Sequence, residues 1–186
     1  MDGMLLIDKP VGRTSFDVVK VVRRVADIRK VGHTGTLDPL ASGLLIILLG
    51  RCTKLARYLD LDHKTYEFEL ELGKQTETGD RESEVFRRCD WAHVDREALE
   101  DALADFLGDI EQVPPSHSAV KVDGERAYKL ARRGEEPDLE ARPVHVEELE
   151  LLEFDPPEAR LRVACASGTY VRSLARDIGT SLDSCA

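Results

Sequence analysis

Residues 30–45, which read KVGHTGTLDPLASGLL, place a histidine and an aspartate five positions apart in a glycine-rich stretch. His33 and Asp38 could form an acid–base pair, although no serine or cysteine stands out as the nucleophile that a hydrolase would need. A phosphate-binding loop is a poor fit. The stretch lacks the lysine of the G-x-x-x-x-G-K-[ST] motif, and an acid would repel phosphate.

The backbone at Asp38 is restricted by the proline that follows it, because a residue before proline is pushed towards extended conformations. The aliphatic run Leu44–Leu49 comes soon after and suits a buried strand. Asp38 could therefore be a preorganised acid on a stiff loop at the edge of a core. Asp-Pro is also a common turn sequence, and from spacing alone the turn is the stronger interpretation.

Three other stretches carry polar groups with a possible function. Residues 167–177 (SGTYVRSLARD) read as a strand-to-helix junction, where Arg172 could bind a phosphate or an internal carboxylate, or simply be solvated. Tyr66 lies on the apolar face of the alternating strand 65–72, where its pattern is that of a core aromatic. The basic segment 116–134 fits either RNA contact or a solvated helix face.

The elements that must position these residues mix strands and helices without a strict β-α-β alternation. We therefore predict an α+β fold with a mixed, mainly antiparallel sheet, in one domain spanning residues 1–186. Strands are predicted at 4–7, 44–49, 65–72, 118–122, 144–154 and 159–166, and loops at 30–43 and 73–84. Helices are predicted at 15–26 (capped by Ser15), 53–59, 95–106 (ended by Gly108), 126–133 and 169–178.

Charge is distributed unevenly along the chain. The formal net charge is −10, yet residues 1–64 hold 11 Lys+Arg against 7 Asp+Glu, and residues 65–186 hold 15 against 29. The basic first third permits a local face for phosphate contacts, although surface charge also varies without such a purpose.

Composition excludes several classes of protein. No apolar run is long enough to span a membrane, and the N-terminus does not resemble a secretory signal. The four cysteines, at 52, 89, 165 and 185, form no C-x-x-C pair, so we expect no zinc site and reduced thiols in a cytoplasmic protein.

Taken together, GHTGTLDPLASGLL, LLIDKPVGRTS, YEFELELGKQTETGD, DIEQVPPSHSAVKVDGERAYKLARRG, ARPVHVEELEL and SGTYVRSLARDIG resemble, in order, segments of the TruB family of pseudouridine synthases. The resemblance covers nearly the whole chain and is closest to the bacterial stand-alone tRNA enzymes. It implies the pseudouridine synthase fold and the isomerisation of uridine 55 in the T-arm of tRNA, by a monomer without cofactor or metal. The family continues with a basic strand and a small C-terminal RNA-binding domain that this sequence does not include.

The resemblance also implies roles for individual residues. Asp38 matches the essential aspartate, which acts either as a covalent nucleophile or as a proton acceptor on a glycal-like route. His33 matches a residue that fills space near the flipped base, and Tyr66 a tyrosine that stacks on the uracil. Arg172 matches an arginine that pairs with the catalytic acid.

Two further residues are implied with less specific roles. Asp80 matches a further acid of the same charge network, and Lys9 supports the wall of the active site. The alternatives are a family member with another RNA target or a guide-RNA requirement, a non-catalytic tRNA-binding or RNA-folding protein, and an unrelated Asp/His hydrolase.

Overall fold

The computed structural model describes residues 1–59 and 63–186, which divide into two compact units, Met1–Leu61 and Asp62–Ala186. Every strand pair in these residues is antiparallel, so the predicted α+β fold is confirmed. The helices are α1 (Ser15–Ala26), α2 (Arg96–Ala104), α3 (Ala127–Ala131) and α4 (Val171–Ser181), and Gly50–Tyr58 is a 3₁₀ helix. The strands are β1 (Gly3–Lys9), β2 (Val31–His33), β3 (Gly43–Leu49), β4 (Lys64–Glu71), β5 (Lys74–Thr76), β6 (Val85–Arg88), β7 (Gly108–Gln112), β8 (Lys121–Val122), β9 (Glu125–Arg126), β10 (Arg142–Asp155) and β11 (Glu158–Cys165).

The first unit is built on a sheet with the order β1-β3-β2, which α1 covers on one face. β3 is the central strand, which explains why its sequence is an uninterrupted aliphatic run. Lys9 at the end of β1 pairs with Gly43 at the start of β3, and His33 at the end of β2 pairs with Ile47. The loop that carries Asp38 is the connection from β2 to β3.

A capping box fixes the beginning of α1. Thr14, rather than the predicted Ser15, is the N-cap: its hydroxyl accepts from the backbone N–H of Asp17, whose carboxylate accepts from the N–H of Thr14. The hydrogen bond from the Thr14 hydroxyl is the main cause that lowers the pKa of Asp17 to about 2. Ser15 is thereby left available for a tertiary contact.

The second unit is built on a sheet with the order β4-β11-β10-β7, against which α2 and α4 pack. Tyr66 and Phe68 contact its core in part, and Leu70 and Leu72 are buried, as the alternation in TYEFELEL predicts. The turn at 155–157 joins β10 to β11 as expected.

Several predicted boundaries are wrong. The loops at 30–43 and 73–84 contain the short strands β2 and β5, and the segment at 53–59 belongs to a 3₁₀ helix rather than an α-helix. Gly108 begins β7 instead of ending α2, which stops at Ala104. These short elements are stabilised by pairing with distant strands, so they leave little periodicity in the sequence.

The expectation that all the thiols are reduced is wrong for two of them. Cys89 and Cys185 form a disulfide, with Cα atoms 5.8 Å apart across a sequence separation of 96 residues. Cys52 and Cys165 are free, and burial raises the pKa of the Cys165 thiol. A separation of this length gives no spacing pattern by which the pair could be recognised.

Among the helices in the described ranges, none is both long enough and apolar enough to cross a bilayer.

Candidate active site

The Asp38 loop is fastened to the segment that links β1 to α1. The Pro39 carbonyl accepts from the N–H of Gly12 at 2.8 Å, and the Asp38 carbonyl accepts from the N–H of Ala41 at 3.1 Å. The first bond joins chain positions that are far apart in sequence, whereas the second closes a turn directly after the aspartate. Asp38 therefore lies on a loop with a defined backbone path.

Ser15, the first residue of α1, also fixes the Asp38 loop. Its Oγ accepts from the N–H of Leu37 at 2.9 Å and donates to the Leu37 carbonyl at 3.3 Å. Ser15 is 2% exposed, and Leu37 itself packs against the apolar core between α1 and the sheet. A hydroxyl that both accepts and donates at one residue holds the backbone next to Asp38 without using a side chain of the loop.

Lys9 is fully buried, at 0% exposure. Its ammonium donates to the backbone carbonyls of Pro10 at 3.1 Å, Arg13 at 2.7 Å and Pro39 at 3.4 Å. Burial lowers the pKa of Lys9 below its ordinary value of 10.5, and the negative charge of Asp38 partly opposes that shift. The charge of Lys9 thus lies close to Asp38, and its bonds tie the loop to the turn after β1.

Replacement of Lys9 by methionine is expected to lower the free energy of unfolding by about 1–3 kcal/mol, because buried carbonyls lose their donor. Lys20→Met is the matched control, since that lysine is on the surface of α1 with its side chain 60% exposed. Urea titrations followed by circular dichroism measure both. Equal stability of the two variants would contradict a structural role for the Lys9 ammonium.

The same variant tests the direction of the pKa shift. Because the folded-state pKa of Lys9 is lower than 10.5, the unfolded chain binds more protons between the two values, and Lys9 makes stability rise with pH across that window. The stability difference between the native chain and Lys9→Met should therefore grow as pH approaches 10.5. A difference that shrinks with pH would show that the shift has the opposite sign.

His33 ends β2, and its ring is partly buried. Its Nδ1 is buried and has no hydrogen-bond partner within residues 1–59 and 63–186. A buried ring nitrogen without a hydrogen-bond partner lowers the stability of the fold, so stability does not explain its position. This residue therefore suits packing beside a ligand better than it suits a hydrogen-bonded structural role.

Tyr66 lies on β4, opposite Val163 of β11, on the face that packs against the core of the second unit. The next residue, Glu67, points to the other face and receives hydrogen bonds from Arg160 and Arg162. These bonds are the main cause that lowers the pKa of Glu67. Pairing with β11 and the hydrogen bonds of the neighbouring Glu67 fix Tyr66 in register.

Arg172, in the first turn of α4, connects two loops. Its Nη1 donates to the Thr78 carbonyl at 2.6 Å and its Nη2 to the His117 carbonyl at 3.1 Å. Gly79, which has a φ of +71°, allows a close approach, because a Cβ there would lie 3.3 Å from the Cβ of Arg172. The planar guanidinium is suited to two acceptors at fixed positions.

Asp80 organises one of those loops. Its carboxylate accepts from the Thr78 hydroxyl at 2.8 Å and from the N–H of Glu82 at 3.1 Å, and its carbonyl accepts from the Thr76 hydroxyl at 2.7 Å. Asp80 therefore acts on Arg172 through Thr78, whose carbonyl is one of the arginine's acceptors.

Gln112 and Ser173 also position Arg172, although neither was predicted from the sequence. Gln112 is 2% exposed, and its Oε1 accepts from the N–H of Tyr170 at 2.7 Å, directly before α4. The Ser173 hydroxyl donates to the Val113 carbonyl at 2.8 Å. No side chain of its own caps α4, so the buried amide of Gln112 serves that end instead. The only signal in the sequence for the role of Gln112 is its position at the end of β7.

The six predicted site residues thus fall into two local groups. In the first unit, Lys9 and Asp38 are electrostatic neighbours, and His33 ends the strand that leads into the Asp38 loop. In the second unit, Asp80 and Arg172 are linked through Thr78, and Tyr66 lies on a neighbouring part of the core. Within the described chain, no group of three or more His, Cys, Asp or Glu side chains is arranged to hold a metal ion. The first group offers a carboxylate, and the second offers an aromatic ring and a guanidinium.

Sequence comparisons give a consistent result. The family model described as "TruB family pseudouridylate synthase (N terminal domain)" matches residues 23–171. The chain is 50% identical over 183 residues to tRNA pseudouridine synthase B of Roseobacter denitrificans, covering 98% of this chain and 60% of that protein. It is 46% identical to the protein of that name from Bordetella pertussis, covering 98% of this chain and 75% of that protein.

Solved structures of lower identity share the fold. The chain superposes with a TM-score of 0.72 and 30% identity on a chain of "Crystal Structure of a Cbf5-Nop10-Gar1 Complex", covering 97% of this chain and 44% of that one. A structure described as an H/ACA RNP bound to a substrate RNA containing 2'-deoxyuridine gives a TM-score of 0.68 at 27% identity. The chain spans about 60% of the length of the curated relatives that match it at 50–51% identity.

Proposed function

Because the chain belongs to the TruB family of pseudouridylate synthases, we propose that it converts uridine to pseudouridine at position 55 in the T-arm of tRNA. The proposal rests on relatives named tRNA pseudouridine synthase B. Those relatives are longer than this chain, so the activity of the 186 residues by themselves is part of the proposal.

The reaction exchanges one bond between sugar and base for another. The C1′–N1 glycosidic bond breaks, the uracil turns within the site, a C1′–C5 bond forms, and the proton of C5 moves to N1. There is no net redox change, so no electron-transfer cofactor is needed. The target base must first leave its stack, which costs a few kcal/mol that contacts with the protein have to offset.

We assign the central role to Asp38. Its carboxylate either attacks C1′ as a nucleophile or accepts a proton during a glycal-like route, and both roles need the ionised form. The Lys9 ammonium lies close to this carboxylate. A loop fastened at Leu37 and Pro39 would present the carboxylate with little reorganisation.

The other residues are assigned to the flipped nucleotide. Tyr66 stacks on the uracil, and His33 occupies the space beside it. Arg172 orients the substrate phosphate, for which a planar guanidinium with paired N–H donors is suited. Asp80 keeps the loop that receives Arg172 in place.

The observation that carries the proposal is the Asp38 loop itself. GHTGTLDPLASGLL is one of the segments by which the chain resembles its family, and the structure fastens this loop through Gly12, Ser15 and Lys9. An ordinary surface turn would not require a fully buried ammonium beneath it.

A guide-RNA-dependent enzyme is the second candidate, because the solved neighbours include an H/ACA RNP. The identity to these structures is 27–30%, against 43–51% to the proteins named tRNA pseudouridine synthase B, which favours a stand-alone enzyme.

We also propose that the protein acts as a monomer in the cytoplasm, which gel filtration with light scattering and cell fractionation would test.

The deciding experiment incubates the purified chain with a synthetic T-arm stem–loop and maps pseudouridine by chemical labelling. Modification at position 55 without any other RNA supports the proposal. Tight binding without modification would favour a non-catalytic RNA-binding protein, and modification only after a guide RNA is added would favour the second candidate. Turnover of esters or phosphates would favour a hydrolase.

A further inference from the structure

The outward face of α1 carries a row of residues that the proposed chemistry does not use. Phe16, Lys20 and Arg24 recur every four positions, so they lie along one side of the helix, and Arg29 follows just after its end. We call these four residues the α1 strip. Phe16 is 50% exposed although it is a large aromatic, and Arg24 and Arg29 are exposed as well.

The contacts within this face are those of a cationic surface around an aromatic ring. The Lys20 ammonium lies 5.1 Å from the centroid of the Phe16 ring, and the Arg23 guanidinium lies 5.6 Å from it. Arg23 is held in place by its hydrogen bond of 3.0 Å to the Val31 carbonyl. An ordered cation beside an exposed ring makes a surface that can receive both a phosphate and a base.

A shallow recess of about 420 Å³ lies along the same face. It is lined by Lys20, Arg23, Arg24, Asp27, Ile28 and Arg29. Four of these six residues are cationic and one is acidic, so the recess favours an anion. In the described part of the chain, the side chains of Arg24 and Arg29 form no ion pair or hydrogen bond. Both are therefore available to bind an anion.

Favourable interaction with the helix dipole is the simplest alternative, since Arg23 and Arg24 are in the last turn of α1. This effect extends over about one turn only. It explains neither Arg29, which is beyond the helix, nor a half-exposed phenylalanine at the other end. The face also carries Asp17, which pairs with Lys20 at 3.0 Å, and Asp27, but the four cations outnumber these two acids.

We propose that the α1 strip binds the RNA backbone outside the T-arm, with Arg24 and Arg29 on phosphates and Phe16 against a base or sugar. This inference rests on the proposed function, because it takes tRNA as the ligand. Ser15 contacts the Asp38 loop at Leu37, and Arg24 lies about 14 Å further along the helix at 1.5 Å per residue. The strip therefore begins next to that loop and leads away from it, so RNA that it contacts would lie beyond the nucleotide held at the loop.

The test compares the native chain with the Arg24→Gln/Arg29→Gln double variant. Affinities for a complete tRNA transcript and for the isolated T-arm stem–loop are measured between about 50 and 200 mM salt. For the complete tRNA, we expect the slope of log affinity against log salt to fall by about 2, with a clear loss of affinity. Affinity for the isolated stem–loop, which lacks the contacted backbone, should not change.

The matched control is Arg87→Gln/Arg96→Gln, which removes the same charge from exposed arginines of the second unit. It should leave both slopes unchanged. Phe16→Ala should weaken binding of the complete tRNA several-fold, and Phe16→Tyr should restore it, because tyrosine keeps the stacking surface.

Three results would overturn the inference. The first is an unchanged salt slope for the complete tRNA in the double variant. The second is an equal loss on the stem–loop, which would place the contact within the T-arm. The third is binding to phosphatidylglycerol vesicles that the double variant loses without any change on tRNA, which would assign the strip to a membrane surface. If the native chain binds tRNA but forms no pseudouridine, the proposed function fails. The salt slopes still test whether the α1 strip binds RNA.

Discussion

The Asp38→Asn variant is expected to bind the T-arm stem–loop with nearly native affinity and to form pseudouridine at least ~10³-fold more slowly. Asparagine has almost the same size as aspartate, and backbone and side-chain hydrogen bonds from Gly12, Ser15 and Lys9 fasten the loop. The variant lacks a carboxylate that could attack C1′ or accept a proton. Single-turnover modification assays and filter binding measure the two quantities separately.

The matched control is Asp101→Asn, which makes the same change at an exposed position of α2. Its rate should be native. If Asp38→Asn retained more than about a tenth of the native rate, well above the loss expected for a residue in acid–base or covalent catalysis, another residue would have to perform the chemistry. If it lost both binding and modification together, Asp38 would be a structural residue.

The Arg172→Lys variant is expected to reduce the rate of modification about 10²-fold while the protein stays folded. An ammonium keeps the charge but cannot reach the carbonyls of Thr78 and His117 at once with the geometry of a guanidinium. Both loops would lose a common anchor, and the remaining charge would be misplaced. The loss should appear in the maximal rate rather than only in affinity, because positioning of the reacting groups is what changes.

Arg176→Lys provides the comparison, since Arg176 lies one turn further along α4 and donates to the Val113 carbonyl at 2.9 Å. It has a similar backbone contact but is not assigned to the site. A native rate in Arg172→Lys, or an equal loss in both variants, would contradict a specific role for Arg172. Thermal unfolding of the two variants distinguishes loss of positioning from loss of the fold.

The sequence predicted the elements whose pattern is local. The alternation of TYEFELEL fixed which face of β4 is buried, and the aliphatic run at 44–49 identified the central strand β3. The extent of α1 was correct, although its cap was assigned one residue too late. The family assignment, which depended on segments spread over the chain, is confirmed by the match at residues 23–171.

What the sequence could not predict depends on residues that meet only after folding. Lysine is mostly an exposed residue, and only the assembly of three carbonyls around one ammonium makes the burial of Lys9 favourable. Gln112 acquires its role from the end of β7 meeting the start of α4, which are distant in the chain. Strands of three residues, such as β2 and β5, owe their existence to their partners.

The burial of Lys9 also makes this lysine a chemical probe of local opening around the Asp38 loop. Amine-acylating reagents modify surface lysines of a folded protein, but an ammonium with no exposed area and three acceptors around it is protected. Acylation at Lys9, read by peptide mass spectrometry, would therefore count the molecules in which the segment around the Asp38 loop has opened. The acylated fraction of Lys9 thus measures how often the loop that this lysine holds is released.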